Sequence, residues 1–285
     1  MLALQLTITG LQTGALYALT AVGFSLIFGS TRIFHFAHGA TFIIAAYLFY
    51  YMNVSGYGLI AGIAAATAGA IAFGLLLNRF VYVPIQRDEG SFFTVFVASF
   101  GIGIVVQNVV GMIFGRGYVT VSTPLSFSVE IMEGLYVAPI AWISMLCAAV
   151  FFGILWGFLK YSQMGKALRA LADNPELVRV FGLNPRFIAA SAFTIGSILV
   201  VPAAIISGLN PAMGHHVMLI SLAATIVGGI GSVPGTLLAG LALGLAESLA
   251  LLYVDSQWTE AVTFAILFLF IIIRPSGLLG RSAAH

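Results

Sequence analysis

Nine apolar stretches, joined by short polar connections, make up most of the 285-residue chain. A helix that crosses about 30 Å of hydrocarbon needs roughly 20 predominantly apolar residues, and most of the stretches reach that length. Only 7% of the residues are charged, against roughly 25% in a soluble domain. Because lipid offers no partner for unpaired backbone groups, such stretches must fold as helices. The sequence therefore predicts an all-α, polytopic helical bundle that is integral to a membrane.

The predicted spans differ in length and in what flanks them. They lie at about 6–29, 36–52, 57–77, 92–114, 137–159, 187–207, 217–231, 235–254 and 258–273. The second and the seventh are short and have Gly or Pro beside them, which favours re-entrant or discontinuous helices. We expect about eight or nine spans in a single transmembrane domain that covers residues 1–285.

The distribution of basic residues predicts the orientation. With the N-terminus outside, ten of the eleven Lys and Arg residues fall in inside loops, and Arg116 alone falls outside. The acidic residues Glu130, Glu133, Asp255 and Glu260 then lie on the outer side. Cytoplasmic loops of membrane proteins carry an excess of Lys and Arg. The sequence thus predicts an N-out, C-in topology with an odd number of spans.

The longest polar stretch, 160–187, contains five of the eleven basic residues and is predicted to be a cytoplasmic loop. The ends of a short helix can be recognised inside it. Asn174 is a favourable N-cap, and Pro175 fits the first helical position, where its missing N–H costs nothing. Gly182 suits the left-handed residue that follows a helix. These signals predict about two helical turns over 175–181.

The charged and apolar residues of this short helix suggest what it does. Glu176 complements the positive end of the helix dipole, and Arg179 lies toward the negative end. Leu177 and Phe181 share one face at a spacing of four residues. So short a helix is marginal alone. Docking into a groove on a soluble partner would cover both apolar groups, and lying back on its own bundle or on lipid headgroups is the alternative.

Several classes of chemistry lack the residues that they need. Gly165-Lys166 is followed by Ala167, so no Walker A loop is formed, and a nucleotide-driven step would take place on another polypeptide. Cys147 is the single cysteine, and no His, Cys or Glu spacing makes a convincing zinc site. No nucleophile–base pairing and no continuous basic stripe is recognisable. We therefore predict no catalytic residue, metal, cofactor or nucleic-acid site on this chain.

A small set of polar side chains falls inside the predicted spans. A charged group at that depth is costly and should face protein or water. Neutral hydrogen-bonding groups either line a passage for a polar solute or hold helices together. The candidates for a translocation path are Gln12, Tyr17, His38, Gln107, Asn108 and Glu247. Structural hydrogen bonding is the alternative for each of them.

The tripeptide Asn210-Pro211-Ala212 spells the aquaporin signature once. Aquaporins use two such boxes on facing half-helices, with an Arg that guards the pore, whereas Met213 follows here. Chance is the better explanation. The match still defines an alternative function, a stand-alone channel or secondary transporter for a small neutral solute. A carrier coupled to protons or sodium would need more carboxylates inside the membrane than Glu247 supplies.

Five motifs are spread over nearly the whole chain: GALYALTAVGFSLIFG (14–29), IFHFAHGA (33–40), GKALRALADNPELVRVFGLN (165–184), VGGIGSVPGTLLAGLALGLAES (227–248) and RPSGLLGR (274–281). Through these motifs the chain resembles the permeases of the branched-chain amino acid ABC importer family. The resemblance implies a multi-pass subunit of the bacterial inner membrane that forms part of a translocation path. Relatives of this kind import leucine-type amino acids, urea, short amides or aromatic carboxylates.

The resemblance also implies partners and a role for the loop. It implies a homologous second permease, two cytoplasmic ATPase subunits that hold ATP and Mg²⁺, and a periplasmic solute-binding protein. The helix in the loop would couple the bundle to the ATPases. The residues expected to serve that coupling are Arg169, Asn174, Pro175, Glu176, Leu177, Arg179, Phe181 and Gly182.

Overall fold

The computed structural model describes residues 1–88, 90–121, 124–132, 134–274 and 276–280. Its α-helices are α1 (Leu2–Thr31), α2 (His38–Val54), α3 (Gly58–Leu77), α4 (Val83–Arg87), α5 (Phe92–Phe114), α6 (Pro139–Tyr161), α7 (Gln163–Asp173), α8 (Pro175–Val180), α9 (Pro185–Ile206), α10 (Met213–Gly228), α11 (Val233–Ala250) and α12 (Thr259–Ile273). Strands β1 (Val129–Met132) and β2 (Leu135–Val137) form an antiparallel hairpin between α5 and α6.

All nine predicted spans are helices, and the all-α membrane bundle is confirmed. Seven helical stretches of the described chain are long and apolar enough to cross a membrane, if α3 is counted with its continuation through α4, and α12 with the 3-10 turn Ser256–Trp258 before it. The remaining two predicted spans are α2, with 17 residues, and α10, with 16 residues. They are the two segments that the sequence marks as short. The small β-hairpin has no counterpart in the sequence-based prediction.

Polar side chains at the helix starts explain several boundaries. Ser91 and Ser162 each accept a hydrogen bond from the backbone N–H three residues later, at N–O distances of 3.2 and 2.9 Å. Ser232 caps α11 in the same way, and Asn184 caps α9 by accepting from the N–H of Arg186, two residues later. Helices α6, α8 and α9 begin with proline, whose missing N–H has no helical partner to lose at that position.

Helix α1 is the centre of the bundle and contacts α6, α9, α10 and α11. Small residues allow α11 to approach it closely. A Cβ atom on Gly14 would lie 2.8 Å from the carbonyl oxygen of Leu241, and one on Gly240 would lie 2.6 Å from the Cα atom of Ala18. Real Cβ atoms do not come this close to backbone. The Gly-x-x-x-Gly pairs Gly10/Gly14 of α1 and Gly240/Gly244 of α11 thus serve helix packing within one chain.

Helices α2 and α10 begin inside the bundle and not at its ends. His38, the first residue of α2, donates from Nε2 to the carbonyl oxygen of Thr20 at 2.9 Å. Thr20 lies about 11 residues, or roughly 16 Å, before the end of α1. In the first turn of α10, His216 contacts Tyr17 of α1. Both helices therefore start about halfway along α1, and non-helical segments lead into each of them.

The starts of these two helices touch each other through glycines. A Cβ atom on Gly214 would lie 2.7 Å from the carbonyl oxygen of Gly39, and one on Gly39 would overlap the carbonyl group of Gly214. From this contact α2 runs toward the N-terminus of α1, because Phe42 lines the same cavity as Leu16. Helix α10 runs the other way and ends at Gly228. The short helices are therefore discontinuous spans that meet near the middle of the bundle.

The third predicted span ends at residue 77, but the helical chain continues to Arg87. A π-helical turn, Asn78–Tyr82, joins α3 to α4. Pro84 then occupies the first turn of α4, where its missing N–H is tolerated. The sequence-based boundary is early because charged residues stop the apolar run before the helix stops.

The C-terminal motif packs on the turn between α10 and α11. The backbone N–H of Leu278 donates to the carbonyl of Val227 at 2.8 Å, and that of Leu279 donates to the carbonyl of Gly228 at 3.1 Å. Gly229 has a φ of 100° and lies directly against this segment. Two motifs that are far apart in sequence thus form one structure. Their members Pro275 and Arg281 lie outside the described residues.

Candidate functional site

A cavity of about 300 Å³ lies among α1, α2, α9 and α10, beside the N-terminal half of α1. Its hydrogen-bonding side chains are Gln12, Thr13, Tyr17, Thr20, Ser207 and His216. All but His216 are uncharged at every ordinary pH, so a polar solute can contact them without being trapped. Two of the six predicted path residues, Gln12 and Tyr17, line this cavity.

A chain of three polar side chains from three helices begins at the wall of the cavity, which Tyr17 and His216 line. The hydroxyl of Tyr17 lies 3.1 Å from Nε2 of His216, and Nδ1 of the same ring lies 2.8 Å from Oε1 of Glu260. With the ring neutral, Nδ1 donates to the carboxylate and the tyrosine hydroxyl donates to Nε2. The chain connects α12, the most exposed of the spanning helices, through α10 to α1 at the centre.

Glu247 of α11 lies close to the tyrosine end of this chain. Its carboxyl group is a second acceptor close to the hydroxyl of Tyr17, whose single proton can go to either Glu247 or His216. Its Oε2 atom is buried and has no hydrogen-bond partner within the described part of the chain. A buried carboxyl oxygen without a hydrogen-bond partner is costly. A polar ligand or a water molecule that reached this atom would supply the missing partner.

Gln107 and Asn108 lie on α5, away from the cavity. Oε1 of Gln107 lies 2.6 Å from Nδ1 of His215, which faces away from its neighbour His216. Asn108 accepts a hydrogen bond from the guanidinium of Arg116 at 3.4 Å. The adjacent histidines of α10 thus serve different sides of the helix. The six predicted path residues are divided between these regions and do not form one site.

His38 lies in the packed interior and not on the cavity. It is fully buried, and its Nε2 atom is bonded to the backbone of α1. His35 is also fully buried, with Nδ1 2.8 Å from the hydroxyl of Tyr82. Among the described residues no group of three or more His, Cys, Asp or Glu side chains is placed to hold a metal ion. The geometry gives His38 a structural part in positioning the start of α2.

The loop 160–187 folds as a helical hairpin of α7 and α8 at the start of α9. Its inner side is apolar, with Leu168, Leu171 and Val178 packed on Ile188 of α9. The guanidinium of Arg169 donates to the carbonyl of Leu159 near the end of α6. The hairpin is therefore attached to the bundle by buried contacts and is not a free tail.

The predicted ends of α8 are confirmed. Oδ1 of Asn174 accepts hydrogen bonds from the backbone N–H groups of Glu176 at 2.9 Å and Leu177 at 3.1 Å. Gly182 has a φ of 75°. The N–H of Gly182 donates to the carbonyl of Arg179, and the N–H of Leu183 donates to the carbonyl of Val178. This pair of hydrogen bonds is the Schellman arrangement. The sequence therefore specifies a helix of six residues with both ends satisfied.

The outer side of α8 is apolar and exposed. Leu177 is 52% exposed and Phe181 is 78% exposed, whereas Val178 between them is 2% exposed. Glu176 and Arg179 are exposed beside them. Helix α8 thus presents Leu177 and Phe181 at the end of the membrane bundle, while Val178 packs against the bundle and holds the helix in place. Together with the polar cavity, this arrangement is that of a multi-pass membrane protein with an exposed apolar surface at one end.

Comparison with known proteins identifies the family. Residues 6–271 match the family model described as "Branched-chain amino acid transport system / permease component". The chain belongs to this family of transmembrane permease subunits, which are multi-pass proteins of the bacterial inner membrane. It is 29% identical to the LivH permease protein of the high-affinity branched-chain amino acid transport system of Escherichia coli (strain K12), over 98% of this chain and 96% of that protein.

Two further similarities agree with this. The BraD permease protein of the corresponding system of Pseudomonas aeruginosa is 30% identical, again over 98% of this chain and 96% of that protein. Among solved structures, PsaBC from Streptococcus pneumoniae in complex with Fab matches with a TM-score of 0.56, covering 94% of this chain and 91% of that chain. At 13% identity this likeness concerns the fold alone.

Sequence reasoning missed the contact between His216 and Glu260. The two residues are 44 positions apart, and Glu260 reads as part of an outer connection because it follows a polar turn. Only the return of α12 alongside α10 brings the two together. A polar residue in the first turn of an apolar helix, opposite a histidine in the first turn of another, is the one signal that points to the pair.

Proposed function

We propose that this permease is the membrane subunit of an ATP-driven importer and that it is driven from the cytoplasm through α8. Residues 160–187 form the coupling loop. Two ATPase subunits, which carry ATP and Mg²⁺, bind the exposed apolar side of α8. A homologous second permease and a periplasmic solute-binding protein complete the assembly. The observation that carries this proposal is the contrast between buried Val178 and exposed Leu177 and Phe181.

The physics of α8 supports a transmitting role. A helix of six residues has little stability of its own, but the caps at both ends and the anchor of Val178 hold its shape. Movement of an ATPase that grips Leu177 and Phe181 would reach α9 through the cluster of Leu168, Leu171 and Ile188. The coupling residues Asn174, Pro175 and Gly182 act by fixing this geometry, and Arg169 fixes α7 against α6.

The proposed solute is a small amino acid, with branched-chain amino acids first. Both relatives described above are named as permeases for that class. The cavity of about 300 Å³ is at the lower end of the size of ligand sites. Gln12, Tyr17 and His216 offer hydrogen bonds there, and the unpartnered oxygen of Glu247 is close by. Urea, short amides and aromatic carboxylates are the alternative solutes.

Co-purification and ATPase assays test the proposal. The permease is expressed with candidate ATPase subunits and a second permease, and the complex is assembled in nanodiscs. ATP hydrolysis is measured with the binding protein empty or loaded with leucine, urea, a short amide or an aromatic carboxylate. We expect a stable complex whose ATPase rate rises with one class of loaded solute. A permease that never retains an ATPase, and that conducts solute by itself, would instead be a channel or secondary transporter.

A further inference from the structure

The end of the bundle that the orientation places in the cytoplasm has a second concave surface, separate from α8. A groove of about 930 Å³ runs between the end of α3, the π-helical turn, α4 and the start of α9. We propose that this groove, called here the arginine groove, binds the headgroup and upper acyl chain of an anionic phospholipid from the cytoplasmic leaflet. Its lining residues used in the argument are Leu75, Asn78, Arg79, Arg87, Arg186 and Ala190.

Charge favours an anion in the arginine groove. Among the described lining residues, Arg79, Arg87 and Arg186 stand against one carboxylate, that of Asp88. All three arginine side chains are exposed, and none makes a hydrogen bond or ion pair through its guanidinium group with any described residue. Guanidinium groups bind phosphate oxygens through paired donors. Three such groups around one concave surface therefore fit a phosphodiester better than they fit a neutral ligand.

The polarity of the groove changes along its length as that of a phospholipid does. Leu75 and Ala190 line the deep end, which lies further along α3 and α9 from the cytoplasmic end of the bundle, and Arg87 and Arg186 line the shallow end near it. Leu75 and Arg87 lie on one continuous helical stretch, about 18 Å apart at 1.5 Å per residue. A soluble anion would use only the basic end. An acyl chain attached to a phosphate would cover both ends, and the groove opens on two spanning helices where lipid is the solvent.

A buried polar atom at the π-helical turn adds an independent observation. Asn78 lines the groove, is 5% exposed, and has an Oδ1 atom without a hydrogen-bond partner in the described chain. The π-helical turn that begins at Asn78 is a rare local structure that is found mostly at functional sites. The amide oxygen lacks a hydrogen-bond donor in the described chain, and a hydroxyl-bearing ligand that reaches this turn would supply one.

Native mass spectrometry of the purified full-length chain tests the proposal. The chain is titrated with dioleoylphosphatidylglycerol or dioleoylphosphatidylcholine. We expect tighter binding of the anionic lipid. The triple variant Arg79→Gln, Arg87→Gln, Arg186→Gln should weaken it by about tenfold or more. The matched variant Lys160→Gln, Lys166→Gln, Arg274→Gln removes three cations from the same end of the bundle but outside the groove, and should change binding by less than about twofold.

Two further measurements test whether the shape of the groove matters for lipid binding and whether free phosphate can replace the lipid. Ala190→Trp leaves every arginine in place but fills the deep end, and it should weaken binding of the anionic lipid. Inorganic phosphate at millimolar concentration should not displace the lipid. Equal affinity for both lipids, equal losses in the two triple variants, or full displacement by phosphate would each overturn the assignment of a lipid to this groove.

Discussion

Gly39 and Gly214 bring the first turns of two helices into backbone contact near the middle of the bundle. A Cβ atom on Gly214 would lie 2.7 Å from the carbonyl oxygen of Gly39. The cavity lined by Gln12 and Tyr17 lies on the side of this contact toward the N-terminus of α1. If the solute passes through that cavity, the contact between α2 and α10 is where its way to the other face of the bundle is closed in this structure.

Replacing Gly214 with alanine should separate the two helix starts. The added methyl group would meet the backbone of Gly39 and the side chain of Ile43, so we expect a loss of about 1–3 kcal/mol in stability and a fall in transport. Thermal unfolding of the purified protein measures the first effect. Gly153→Ala is the control, because nothing lies within 4 Å of a Cβ atom there. Equal melting temperatures for the two variants would contradict the packing role.

The coupling role of α8 can be separated from its structural role by two neighbouring positions. Leu177→Asp changes a side chain that is 52% exposed, and should abolish transport-coupled ATPase activity while the permease stays folded. Val178→Asp places a carboxylate where the side chain is 2% exposed, and should cost several kcal/mol or prevent folding. Retention of partner ATPases on an affinity column and size-exclusion profiles distinguish the two. Normal transport by Leu177→Asp would rule out the proposed docking surface.

The chain of Tyr17, His216 and Glu260 should behave as one unit. We expect Tyr17→Phe and Glu260→Gln to be non-additive with His216→Ala, with coupling energies of about 0.5–3 kcal/mol in thermal stability. If this chain lines the path, His216→Ala should also lower the transport rate at saturating binding protein. Thr67→Ala, on the exposed face of α3, is the control. Strict additivity would show that the contacts do not interact.

The turn between α10 and α11 offers a prediction with its own internal control. Gly229 and Gly231 both have positive φ values, 100° and 79°. A Cβ atom on Gly229 would also collide with the C-terminal segment at Gly280, whereas one on Gly231 would only reach van der Waals distance from Gly29. Alanine at either position should cost about 1–2 kcal/mol through backbone strain, and Gly229→Ala should cost more. Protease sensitivity of the C-terminus should rise in Gly229→Ala first.

Much of the fold could be predicted because lipid imposes simple rules. Length and apolarity mark the spans, and caps such as Asn174 and Gly182 mark α8 almost to the residue. The depth of α2 and α10 could not be predicted, because nothing local to Gly39 or Gly214 states that these helices begin inside the bundle. That depends on which glycines meet, which is a tertiary property.

The candidate site was predictable only in part, for the same reason. Gln12 and Tyr17 lie 10 and 15 residues after Leu2, the first residue of a long apolar helix, so their polar character stands out. His38 stands out equally, but its bond to the carbonyl of Thr20 is a packing contact that sequence cannot distinguish from a pore position. The partner of His216 lies on another helix 44 residues away. Pairings of that kind are fixed by helix arrangement and not by local pattern.

Solute flux in reconstituted vesicles tests the central claim most directly. The permease is reconstituted alone, and also with its second permease, two ATPases and a loaded binding protein, and uptake of labelled leucine is followed with and without ATP. The account predicts no flux through the permease alone and ATP-dependent uptake only in the complete assembly. Leucine flux through the permease by itself, without ATP or partners, would contradict it.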